Sequence, residues 1–116
     1  MILESRSIIF SDEELFLALR PVIEGRGMSA DISIAAINTG LDDEGEVAVT
    51  IEVTDGENML FSSRELGAAV LNHCIDQGIP LPRGSYKELA TRGDHVALIV
   101  RMESGSANSE IDTDEE

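Results

Sequence analysis

Two short stretches of this 116-residue chain are built to one plan, and they constrain its fold more than anything else in it. Phe10-Ser11-Asp12-Glu13-Glu14-Leu15 and Phe61-Ser62-Ser63-Arg64-Glu65-Leu66 each put a serine where a helix N-cap belongs and a glutamate three residues later. The serine hydroxyl can accept from a backbone N–H of the first turn, and the glutamate can return a bond to the cap's own N–H, which makes a capping box. The phenylalanine before each cap can pack on the leucine after it, Phe10 on Leu15 and Phe61 on Leu66, as a hydrophobic staple. Two helices are therefore expected to start at these serines.

The likeness reaches further. At a spacing of 51, Ile9 matches Leu60, Ala18 matches Ala69, Leu19 matches Val70 and Gly27 matches Gly78, while Val47 to Ile51 matches Val96 to Val100 at 49. Each half reads strand, capped helix, glycine stop, strand, which suggests half-repeats at 2–53 and 54–102. The same physics selects the same caps wherever an amphipathic helix follows a strand, so alike halves do not by themselves require a duplication. Both readings give one architecture.

Residues 2–10 suit a first strand, and Leu15, Ala18, Leu19 and Val22 give the first helix an apolar face that Phe16 and Leu17 widen. Pro21 removes a backbone donor and predicts a kink or restart near Arg20, before Gly25-Arg26-Gly27 ends the helix. Ile32, Ile34 and Ala36 alternate with their neighbours in a second strand from Asp31, followed by an acidic loop over 38–45. Glu46 to Thr54 is the clearest strand, with Val47, Val49, Ile51 and Val53 on one face. Asp55-Gly56 predicts a tight hairpin into Asn58–Phe61. The second helix, over 63–77, carries Leu66, Ala69, Val70 and Cys74, and Gly78 suits its C-cap.

Pro80 and Pro82 impose an extended path, Ser85 with Glu88 predicts a short helical turn through Lys87 and Leu89, and His95 to Met102 is the last strand. The order β-α-β-β-β-α-β makes an α+β two-layer sandwich, an antiparallel-rich sheet with two main helices on one face. A ferredoxin-like arrangement is the nearest topology, and the comparison extends to topology alone. Residues 103–116 hold six acids and no base, and they are expected to form a disordered acidic tail behind a single domain over 1–102. Deleting that tail is expected to leave thermal stability nearly unchanged.

The formal net charge is −15, which disfavours nucleic-acid phosphate and anionic membrane as partners. The absence of Trp and the scarcity of aromatics leave the core to Val, Ile, Leu, Ala and Met, and remove the stacking residues that single strands need. Cys74 is the only cysteine, so no intrachain disulfide is possible. No signal-peptide pattern opens the chain and no apolar run is long enough to span a membrane, so a cytoplasmic protein is expected.

No residue set specifies catalysis, a cofactor or a metal. His73 and Cys74 adjoin on a helix and point about a hundred degrees apart, which prevents them from acting on each other. His73, Cys74 and His95 lack a fourth zinc ligand and the usual paired spacings. Asp42-Asp43-Glu44 with Glu46 lacks the alternating carboxylates of a calcium loop and reads as a solvated hairpin tip. The most unusual stretch is 80–92, which sets Arg83, Lys87 and Arg92 near the only tyrosine, Tyr86, in an acidic protein. It is a candidate docking site for a partner or an anion, with Arg83 and Lys87 as contacts and Tyr86 as anchor; the plainer reading is a rigid crossover whose bases balance nearby acids.

Residues 15–19 and 66–71 leave no polar position, more apolar helix surface than one sheet covers. Phe16, Leu17, Leu71 and Ile75 are thus expected to form a dimer surface. The functional expectation is a small non-catalytic binding or adaptor protein acting through protein–protein surfaces as a homodimer. The alternative is an acidic inhibitor or nucleic-acid mimic that presents Asp42-Asp43-Glu44 and the tail to a basic protein.

Overall fold

The computed structural model describes residues 1–29 and 31–104, and the acidic tail expected from 103 on lies almost wholly outside them. The elements run β1 (Ile2–Ile9), α1 (Asp12–Gly25), β2 (Ile34–Leu41), β3 (Val47–Val53), β4 (Met59–Phe61), α2 (Ser63–Asp76), β5 (Tyr86–Arg92) and β6 (His95–Ser104). This is an α+β fold in which two helices accompany antiparallel strands.

Both helix starts form as the sequence predicts. Ser11 Oγ accepts from Glu14 N at 3.2 Å, and Ser62 Oγ accepts from Glu65 N at 3.3 Å. Only the second box closes: Ser62 N donates to Glu65 Oε1 at 3.0 Å. Both helices stop alike, with Met28 N donating to Ile23 O and Ile79 N to Cys74 O around left-handed Gly27 and Gly78.

α1 buries Leu15, Ala18, Leu19 and Ile23, and α2 buries Leu66, Ala69, Val70 and Cys74, each 51 positions later. These two stripes meet Val47, Val49 and Ile51 of β3, Val96, Leu98 and Val100 of β6, and the staple rings Phe10 and Phe61 in one apolar core. A core filled by branched aliphatics and two rings follows from the scarcity of aromatics in the chain.

The strands form two three-stranded antiparallel sheets, β1-β6-β5 and β2-β3-β4, where one sheet was expected. The reason lies in the pairing of first strands. β1 lies on β6 and β4 lies on β3, so each half hands its opening strand to the hairpin of the other. The ferredoxin-like comparison is accordingly approximate.

Four further expectations need correction. The stretch after Ser85 is strand and not a helical turn: β5 pairs with β6 from Tyr86↔Arg101 to Arg92↔His95, because the ladder to β6 outweighs one local cap pattern. Pro21 does not divide α1, which continues to Gly25 as one element with the proline on its exposed side. Gly56 is absent from the positive-φ glycines, and Ile51↔Met59 closes a wider loop than a tight hairpin. Finally β2 runs on to Leu41, absorbing half of the supposed acidic loop.

Candidate functional site

The basic stretch does not converge. Tyr86 and Arg92 stand at opposite ends of β5 on one face, about 20 Å apart at strand rise. Lys87 points to the other face, where its Nζ donates to Ser85 O at 3.2 Å. Arg92 donates to the neighbouring Thr91 O at 3.0 Å, and Arg83 is exposed in the loop before β5. Tyr86 does gain a basic neighbour across the ladder: Arg101 sits opposite it on β6 and is ion-paired with Glu88. Around these, Leu3, Ser5, Gly84, Tyr86, Arg101 and Glu103 line an open hollow of about 690 Å³.

The helix residues also divide. Phe16 and Leu71 are half-buried against the core, whereas Leu17 and Ile75 are exposed. Phe16 and Leu17 join Ile34 and Ile37 of β2 in a shallow apolar groove of about 490 Å³, edged by Asp12, Glu13 and Arg20. Leu17 also borders a smaller cleft between the helices with Ala68, Ala69 and Asn72. Leu71 and Ile75 line neither of these hollows.

His73 and His95 lie apart, each facing a carboxylate. His73 Nε2 is 3.7 Å from Glu14 Oε1, is buried and has no hydrogen-bond partner, and its ring is tilted against Phe10 at 6.4 Å. His95 Nδ1 is 3.7 Å from Asp12 Oδ1. Cys74 is fully buried, and burial pushes its thiol above the usual range against a smaller opposing effect of Arg6. Among the described residues no group of three or more His, Cys, Asp or Glu side chains could hold a metal ion. Asp42 is engaged in its own turn, accepting from Glu44 N at 2.8 Å and Glu46 N at 2.9 Å.

A surface that the sequence reading missed is the free side of β1. Ile2, Leu3 and Ile9 are 60%, 70% and 54% exposed. The signal was present in Ile2-Leu3 and Ile8-Ile9, which look like core residues until β1 is known to be an edge strand. No helix among the described residues is long and apolar enough to cross a membrane. Compared with protein-family models, with curated proteins and with solved structures, the chain matches none of them.

Proposed function

We propose that this is a small non-catalytic binding or adaptor protein that works through protein–protein surfaces, as a homodimer. One observation carries the reading: large apolar side chains stand outside the core on an open strand edge, Ile2, Leu3 and Ile9, with Leu17 and Ile75 exposed on the helices. An open strand edge that leaves such side chains in water is a surface for a further chain to cover. The Phe16–Leu17–Ile34–Ile37 groove adds a concave apolar surface of the kind a protein partner fills. For the alternative, an acidic mimic, Asp42 is bound to its own loop while Asp43 and Glu44 stay exposed at the hairpin tip.

The internal repeat belongs to the same reading. The buried sets of α1 and α2 coincide at one spacing, and each half has the order β-α-β-β, which supports two copies of one unit. Light scattering over a dilution series tests the function. A dimer that dissociates on dilution is expected, and a strict monomer at every concentration would remove the homodimer.

A further inference from the structure

The four sheet edges differ in how they are guarded against another chain. β4 has only three residues, β2 carries a register irregularity between Ile34 and Ala36, and β5 has Lys87, Glu88 and Arg92 among its seven residues. Shortness, bulges and charge are the usual devices that keep an edge from pairing. β1 has eight residues in unbroken register with β6, contains neither Pro nor Gly, is exposed at every position but Ile8, and carries one charge of each sign, Glu4 and Arg6.

The hydrogen-bonding parity of that edge is known. Phe10 N donates to Val96 O at 2.9 Å, so in the continuing register Ile8, Arg6, Glu4 and Ile2 turn their N–H and C=O toward β6. Leu3, Ser5, Ser7 and Ile9 turn theirs to the open side. Two copies of one strand that pair antiparallel share a two-fold axis, and the residue on that axis must face itself. An axis through Glu4 sets Glu4 against Glu4, and one through Arg6 sets Arg6 against Arg6. Axes through Leu3 or Ser7 leave both charges opposite apolar or absent positions.

An axis through Ser5 behaves differently. Glu4 then lies opposite Arg6 of the second copy, Arg6 opposite its Glu4, Ile2 opposite its Ile8 and Leu3 opposite its Ser7. Glu4, Arg6, Ile2 and Ile8 fall in the non-hydrogen-bonded pairs, whose Cα atoms are only about 4.5 Å apart and whose side chains meet best. Ser5, Leu3 and Ser7 fall in the hydrogen-bonded pairs, which is the parity their outward groups require. The segment Ile2-Leu3-Glu4-Ser5-Arg6-Ser7-Ile8 is therefore complementary to itself in charge, in bulk and in backbone parity, in one register only.

We infer that β1 pairs with β1 of a second copy about Ser5, joining two β5-β6-β1 sheets into one of six strands. The pairing rests on the homodimer reading above and names its interface. Arg6 also donates to Pro80 O, and its remaining guanidinium donors serve the second copy.

Sedimentation equilibrium on the full chain and three variants tests it, with circular dichroism to confirm folding. Glu4→Arg sets two arginines face to face twice per dimer, and Arg6→Glu does the same with glutamates; each is expected to weaken association at least about tenfold. Mixing the two variants restores opposite charges at every position, so the mixture is expected to associate as the parent does. Ser5→Pro removes an outward N–H and no bond to β6, and is expected to give a folded monomer. A parent dimer whose affinity survives all three changes overturns this interface and leaves the homodimer standing. A parent that is monomeric throughout overturns both.

Discussion

The guanidinium of Arg26 lies 4.4 Å above the ring of Phe61 while one of its nitrogens stands 2.8 Å from Glu65 Oε2. The same nitrogen donates to Leu60 O at 2.9 Å. One side chain at the end of α1 thus fastens the end of β4 and the start of α2. Across the molecule, His73 at the end of α2 meets Phe10 and Glu14 at the start of α1, with a looser partner in the place of the arginine. The second capping box, whose glutamate is ion-paired with Arg26, is closed, and the first, whose glutamate faces His73 at 3.7 Å, is open.

A double-mutant cycle between Arg26 and Glu65 is expected to return a coupling of about 0.5–1 kcal/mol, since both side chains are roughly a third exposed and solvent screens the pair. Arg26→Ala should cost more than that coupling alone, because the contact with the Phe61 ring is lost as well. Urea unfolding of the two single variants and the double variant measures both quantities.

The pair also predicts a dependence on acid. The Arg26 guanidinium, and after it the Ser62 N–H, hold the Glu65 carboxyl below its ordinary range, with a smaller opposing effect from burial. A carboxylate whose pKa is lower in the folded state stabilises at pH above its unfolded pKa, about 4.3, and that contribution fades as pH falls through the folded value. Glu65→Gln should therefore reduce the unfolding free energy at neutral pH, and the difference from the parent should close as the solution is acidified below the carboxylate range. Urea midpoints taken across that pH interval check it.

The two caps should not be equal. Ser62→Ala breaks a reciprocal pair and is expected to cost about 1 kcal/mol, and Ser11→Ala, which breaks one bond, less. Glu14→Ala should fall below Glu65→Ala for the same reason. Thermal unfolding of the four variants ranks them.

Glycine replacement separates space from backbone. Gly27 at φ 80° and Gly78 at φ 73° both have open surroundings for a Cβ, so alanine there should cost about 1 kcal/mol through conformation alone. Gly25 is the last residue of α1, also has nothing near its absent Cβ, and lacks the positive φ. Gly25→Ala should be neutral or stabilising, by a few tenths of a kcal/mol to about 1.

Cys74 offers a reporter of opening. Its thiol is fully buried and held protonated by that burial, so a disulfide reagent should react only through unfolding of α2. Labelling should be slow in buffer and accelerate with urea in step with the fluorescence of Tyr86 or the loss of helix signal.

Much of this fold was legible because its instructions are local. Phe10, Ser11 and Glu14, and their counterparts Phe61, Ser62 and Glu65, specify each helix start within six residues, and Gly27 and Gly78 specify the stops. β5 was hidden because its pattern is carried by a neighbour. Only Leu89 packs on the core there, beside Gly67, and Ser85 to Glu88 imitates a cap. The missing clue was internal similarity: β2 pairs with β3 as β5 pairs with β6, so β2 foretold β5. The candidate surfaces fared less well. Whether Phe16 or Leu71 is covered depends on β2 and the sheets, and the openness of β1 depends on which strand lies on its far side. Neither is written in a window of residues.

The exchange of first strands has a kinetic consequence. Ile9 pairs with Ala97 and Ile2 with Ser104, partners 88 and 102 positions apart, so the β1–β6 ladder cannot zip until nearly the whole chain has been gathered. β2, β3 and β4, and the β5–β6 hairpin, close within short loops and carry no such delay. The two hairpins should gain their amide protection early, and β1 should be the last strand brought home and the first released.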